Sequence, residues 1–94
     1  MTFLTSLDQL IQNRKQNMPD GSYTATLFNE GLDRILRKVA EESGEVIIAA
    51  KNEGSEELKQ EVADLMFHLL VLCHEKGVSL ADIEDVLESR HQKS

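Results

Sequence analysis

The chain is poor in residues that punctuate, crosslink or anchor a fold. Its 94 residues hold one proline, one cysteine, no tryptophan, one tyrosine and three phenylalanines. The single Cys73 excludes a disulfide within the chain. Its place in an apolar run is that of a small buried hydrophobe in a reducing compartment, not of an exposed nucleophile. No stretch approaches the roughly 20 apolar residues of a membrane span. The opening MTFLTSLDQL also lacks the basic start and unbroken apolar core of a secretory signal. A soluble, cytoplasmic protein is expected. Positive charge is scarce too: ten Lys and Arg face seventeen Asp and Glu, a formal net charge of −7. Partners that are held by neutralising phosphates with basic side chains, nucleic acid polymers and membrane surfaces, are therefore excluded. An acidic protein still binds a polyphosphate when divalent cations stand between them.

What is present is helix-forming: Leu, Ala, Glu, Lys and Val dominate, which predicts an all-α fold. The length suits one domain, residues 1–94, near the size at which a partner chain often completes the core. Thr5 or Ser6 is the expected cap of a first helix carrying Leu7, Leu10 and Ile11, which fades before Met18-Pro19-Asp20-Gly21. Ser22 to Gly31 reads as one helical turn or irregular chain. From Leu32 to Asn52 the residues Ile35, Leu36, Val39, Val46, Ile47 and Ala50 recur with helical period. Gly54 suits the left-handed position after that helix, and Ser55 the cap of a third helix that runs to about Lys76 and stops at Gly77. Ser79 caps a last helix, with Asp82 in the capping-box position and a buried stripe of Leu80, Ile83, Val86 and Leu87, before a fraying tail RHQKS. Short connections make the long helices antiparallel neighbours in a bundle of about four. Hydrophobic residues outside a narrow stripe, Ile47, Ile48 and Val71, predict that the second and third helices also meet a second chain, giving a homodimer.

The chemistry lies in the carboxylates. At about 100° per residue, Glu42 and Glu45 lie roughly 60° apart on one helix, and Glu61 and Asp64 repeat that spacing on the next. Lys38 falls within about 20° of Glu45, and His68 within about 40° of Asp64, so both share these faces. In a chain with seventeen acids such pairs arise by chance, and a solvated face is the ordinary explanation. Asp64, however, stands among Val62, Ala63, Leu65 and Met66, where a solvated face is hard to draw. An unpartnered buried carboxylate costs several kcal/mol, a large share of the roughly 5–14 kcal/mol that holds such a domain together. Either a structural network with Lys38, Arg34 or His68 compensates it, or a hard cation does. Four carboxylates on adjacent helices can converge on Mg²⁺ and leave positions for water and phosphate oxygens. Zinc is not favoured by one Cys and scattered histidines. A di-iron site needs two Glu-x-x-His pairs, and the one here, Glu88 to His91, lies in the tail. P-loop, dinucleotide-binding and G-x-S-x-G patterns are absent.

SYTATLF, GLDRILRKVAEESGEVIIAAKN, EVADLMFHLLVL, GVSLADI and ESRH together resemble the phosphoribosyl-ATP pyrophosphohydrolases of histidine biosynthesis, within the all-α MazG-type nucleotide pyrophosphohydrolases. The similarity runs from about Ser22 to His91. Ala40, where glycine is common, and Gly44 depart from the pattern without removing a ligand. The resemblance implies Mg²⁺-dependent hydrolysis of 1-(5-phospho-β-D-ribosyl)-ATP to the corresponding AMP and pyrophosphate. It implies Glu42, Glu45, Glu61 and Asp64 as metal ligands, and Glu41 or a ligand-set glutamate as general base. It also places Lys38 on a phosphate oxygen, Arg34 and Lys51 as further candidates, and Ser22, Tyr23 and Thr24 over the ribose or phosphate end. Ordinary alternatives stand beside these roles: Lys38 and Glu42 form a surface ion pair, and Arg34 and Lys51 are plain surface charges. His68 contacts the substrate, supports Asp64 or is a satisfied core histidine; His74 and His91 are expected at the surface. A house-cleaning nucleotide pyrophosphohydrolase and a non-enzymatic helical interaction module are the competing functions.

Overall fold

The computed structural model describes residues 2–52 and 54–92. Five helices follow in order: α1 (Phe3–Asn17), α2 (Tyr23–Glu30), α3 (Leu32–Asn52), α4 (Ser55–Glu75) and α5 (Leu80–His91). The described residues contain no strand, so the all-α expectation holds. None of the helices is long and apolar enough to cross a membrane.

The additional helix is α2, in the segment expected to be a single turn or irregular. Its polar letters are terminal signals: the Ser22 hydroxyl accepts from the Ala25 N–H at 3.1 Å, and Gly31, at φ 97°, ends the helix where a side chain is disfavoured. Between these ends Ala25 and Leu27 are buried. Other boundaries also shift. Thr2 caps α1 by accepting from Thr5 N–H at 3.3 Å, so Thr5 and Ser6 lie inside the helix. Gly54 is the N-cap of α4 in an extended conformation, φ −84°, rather than a left-handed terminator, and Ser55 is already helical. Glu53 lies outside the described residues. The Ser79–Asp82 capping box is present, with reciprocal bonds of 3.2 and 2.9 Å. Arg90 and His91 remain helical where fraying was expected, while residues 93–94 lie outside the described part.

The hairpin of α3 and α4 is the most extensively packed pair, and α1 and α2 close over one flank of it. The core joins Ile11 of α1, Leu27 of α2, Ile35 of α3, and Leu70 and Val71 of α4. Val71, expected at an interface between chains, is therefore wholly enclosed in its own chain. The other flank is bare. On α3, Leu36 and Ala50 are exposed although they share the helical period of the apolar residues, and Ile47, expected outside the narrow stripe, is exposed as well. On α5, Ile83, Val86 and Leu87 are 39–49% exposed, because that helix leans on α1 and nothing covers its outer side. Cys73 is half-buried rather than enclosed.

His74, expected at the surface, is instead buried in a polar knot. Its Nε2 lies 2.6 Å from Asp8 Oδ1 and its Nδ1 2.8 Å from Gln12 Oε1. Asp8 Oδ1 also accepts from the Leu80 N–H at 3.1 Å, and Lys15 Nζ donates to the His74 carbonyl at 2.6 Å. The free Leu80 amide at the start of α5 is thereby satisfied from α1, and the His74 carbonyl, which also accepts from the Gly77 N–H, gains a second donor. Asp8→Ala strands the His74 Nε2 and the α5 amide, and is expected to lower stability by about 2–3 kcal/mol, whereas Asp8→Asn retains an acceptor and costs less. Urea unfolding checks this; an unchanged midpoint for Asp8→Ala contradicts the role of the knot.

Candidate metal and substrate site

On α3, Glu42 and Glu45 are one turn apart and approach Glu61 across the hairpin. Each contributes a carboxylate oxygen, and the three oxygens lie within 4.8 Å of one another. Glu42 is buried, Glu61 partly buried and Glu45 exposed, so the cluster is a half-open cup between the two helices. Lys38 Nζ stands 3.3 Å from Glu42 Oε1. That leaves Glu42 Oε2 and Glu61 Oε2 buried without a hydrogen-bond partner. Unsatisfied acceptors of this kind are costly, and oxygen-only donors from several carboxylates are what hard divalent cations take. The residues present fit such an ion.

The charges register the crowding. The Glu45 carboxyl is held above its ordinary value of 4.5, chiefly because it shares a hydrogen bond with Glu61; a hydrogen bond with Glu42 works the other way, and the Glu61 charge adds to the rise. Burial acts to lower the Lys38 ammonium, but its hydrogen bond with Glu42 and the nearby Tyr23, Glu42 and Glu41 outweigh that and hold it above the usual lysine value. Gly44 sits within α3 without interrupting it, and an added Cβ there meets open space. The Ser43 hydroxyl donates to the Val39 carbonyl at 2.8 Å.

Asp64 is not drawn into the cluster of three. It is exposed on α4 beside Val62 and Ala63, which are exposed as well, so the expectation that apolar neighbours bury it fails. The run is apolar around much of the helix, but only the sides toward α1, α2 and α3 are covered. Glu41 is exposed one residue before Glu42. Arg34 pairs with Glu30 at 3.4 Å in an ordinary one-turn ion pair, and Lys51 is exposed in the last turn of α3. Ser22 is occupied as the α2 cap, and Thr24 lies in the first turn, partly buried. His68 is buried, with Nδ1 2.7 Å from the Asp64 carbonyl oxygen and Nε2 3.1 Å from the Tyr23 hydroxyl. Phe67 escaped the sequence reading: its ring stacks on Tyr23 at 6.2 Å and meets His68 edge-on at 5.0 Å. Aromatic scarcity was the available signal, since the one tyrosine and an adjacent Phe-His pair are costly to spend at random.

The phosphoribosyl-ATP pyrophosphohydrolase family model matches residues 4–91. The chain belongs to that family. Similar phosphoribosyl-ATP pyrophosphohydrolase relatives include the phosphoribosyl-ATP pyrophosphatase of Leptospira biflexa, 57% identical, with 97% of this chain aligned to 99% of that one. The phosphoribosyl-ATP pyrophosphatase of Clostridium botulinum is 53% identical over 96% of this chain and 82% of its own length. The histidine biosynthesis bifunctional protein of Bacillus subtilis is also 53% identical, but the match spans only 43% of that longer protein.

The hydrogen bond that Glu45 shares with Glu61 gives a pH signature. The folded chain binds the Glu45 proton more tightly than the unfolded one. Stability from this group is therefore present below the ordinary value of 4.5 and is lost as pH rises through the raised folded value. Glu61→Gln is expected to bring the Glu45 titration down toward the ordinary range. Side-chain carboxyl NMR measures it, and a Glu45 titration that does not move contradicts the shared hydrogen bond.

Proposed function

We propose that this chain hydrolyses 1-(5-phospho-β-D-ribosyl)-ATP to 1-(5-phospho-β-D-ribosyl)-AMP and pyrophosphate, the second step of L-histidine biosynthesis, as a cytoplasmic, Mg²⁺-dependent homodimer. The observation that carries the reading is the pair of buried, unpartnered oxygens of Glu42 and Glu61 beside Glu45, in a chain of the phosphoribosyl-ATP pyrophosphohydrolase family. Relatives with near-complete overlap bear the name of that activity.

Glu42, Glu45 and Glu61 hold Mg²⁺, and Asp64, one turn along α4 from Glu61, adds a fourth carboxylate from the open side. When bound, Mg²⁺ neutralises polyphosphate charge and acidifies water. Lys38, already at the rim against Glu42, offers its ammonium to a phosphate oxygen. Glu41, exposed beside it, orients the attacking water and takes its proton; a ligand glutamate is the other candidate for this step. Water adds at the α–β phosphate linkage, the bridging P–O bond breaks, and pyrophosphate leaves. Ser22, Tyr23 and Thr24, in the first turn of α2, border the substrate. Arg34, spent on Glu30, and Lys51, on the outer surface, act as ordinary surface charges.

The test is turnover of phosphoribosyl-ATP against a panel of ordinary NTPs and dNTPs, with and without Mg²⁺. Preference for phosphoribosyl-ATP, with Mg²⁺ required, is expected; equal or better turnover of the panel assigns a house-cleaning pyrophosphohydrolase instead. Glu45→Gln and Asp64→Asn are each expected to lower Mg²⁺ affinity and turnover by roughly 10–100-fold or more. Unchanged Mg²⁺ binding and pyrophosphate release in both variants would leave an interaction module.

The second chain answers the uncovered flank. Leu36, Ile47 and Ile48 of α3 and Val62, Met66 and Leu69 of α4 are large apolar residues exposed on the two helices of the hairpin, the kind of surface that a second chain covers. Packing of this face on a second copy also restores apolar surroundings to Asp64. Sedimentation equilibrium at micromolar concentration is expected to give the dimer mass, and Ile47→Glu to shift it toward monomer; a wild-type monomer overturns the assembly.

A further inference from the structure

We propose that Tyr23 determines specificity by accepting a hydrogen bond from an O–H or N–H of the substrate's nucleoside part, and that His68 is the positioning residue that denies Tyr23 a proton to give to a phosphate. This rests on the site assignment made under Proposed function.

The argument follows the protons. The Asp64 backbone carbonyl only accepts, so the His68 Nδ1 2.7 Å away must carry hydrogen. In a neutral imidazole the Nε2 then has only a lone pair, and its neighbour at 3.1 Å, the Tyr23 hydroxyl, must donate. The ring's two nitrogens meet a carbonyl and a hydroxyl, not a carboxylate. The ring itself is buried against Phe67 and Tyr23, which meet it edge-on and hold both nitrogens on these two partners. A phenol has one proton. With that proton committed to His68, the Tyr23 oxygen presents lone pairs alone, while its ring, stacked on Phe67, remains half exposed.

The position suits this role. His68 lies two helical turns beyond Glu61 on α4, about 10 Å along the axis. A nucleoside trails the outer phosphates of its triphosphate by a comparable reach. Tyr23 and Lys38 are close enough to interact electrostatically, so the ring stands near the lysine proposed to meet a phosphate. Phosphate oxygens are acceptors and gain nothing from an oxygen without a proton. A ribose hydroxyl or an exocyclic nitrogen of the base supplies the missing hydrogen.

Three variants test this. Tyr23→Phe keeps the stacked ring and removes the oxygen. His68→Asn keeps a donor for the Asp64 carbonyl and removes the partner of Tyr23. His68→Gln places an amide oxygen near the position of Nε2. Tyr23→Phe is expected to raise KM for phosphoribosyl-ATP about five- to tenfold, with kcat within about twofold and the inhibition constant of inorganic tripolyphosphate unchanged. His68→Asn is expected to reproduce that pattern, and His68→Gln to restore most of the lost affinity. Repeating the measurement on substrate with 2′-deoxy or 3′-deoxy adenylate ribose separates the sources: a Tyr23→Phe penalty lost on either assigns a ribose hydroxyl, and one kept on both assigns the exocyclic N–H. Equal weakening of tripolyphosphate, or no change in KM, overturns the inference. If the wild-type chain prefers another nucleoside triphosphate, the assigned activity fails, and the same two readouts on that nucleotide decide the role of Tyr23 independently.

Discussion

Mutual repulsion among carboxylates held between two packed helices is the constraint around which this protein is organised. Glu42, Glu45 and Glu61 are brought within 4.8 Å of one another by the hairpin of α3 and α4, and two of their oxygens are buried with no hydrogen-bond partner. Such an arrangement costs folding free energy unless a counter-charge or a shared proton relieves it. Lys38 relieves one side and the Glu45–Glu61 hydrogen bond the other. The oxygens left without a partner are those that the proposed divalent ion would take, so the cost of the cluster and the proposed metal binding would have one origin.

The rest of the fold supplies the stiffness to carry that strain. Helix α2 inserts Leu27 into the core between α1, α3 and α4, and its first turn brings Tyr23 against His68. Only one flank of the hairpin is closed in this way. Elsewhere on the hairpin Ile47, Ile48 and Met66 are exposed, as is Glu45 of the acidic cup. Should the proposed second chain cover these residues, it would complete the core on the same two helices that carry the acids.

The long helices and the acid pairs were legible because both rest on local periodicity. Leu32–Asn52 and the Ser79–Asp82 capping box followed directly from spacing and end signals. Helix α2 was hidden because its ends are made by Ser22 and Gly31, residues as common in loops as at caps. Burial of Asp64 and of the α5 stripe was misjudged for another reason: periodicity says which residues share a face, not whether that face is covered within one chain. His74 and the Tyr23–His68–Phe67 cluster depend on partners far apart in sequence, such as Asp8 and Gln12 for His74, and no local pattern announces them.

The knot of Asp8, Gln12, Lys15 and His74 gives α4 two unlike ends. Its last turn is fastened to α1 by three hydrogen bonds, and Asp8 accepts a fourth from the first residue of α5, while the acids Glu61 and Asp64 stand in earlier turns. The clamp fixes the register of α4 against α1 at a point well removed in sequence from the acids, so the two tasks are carried by separate turns of one helix. Sequence change at the clamp is thus expected to act on stability, and change among the acids on the site proposed for them.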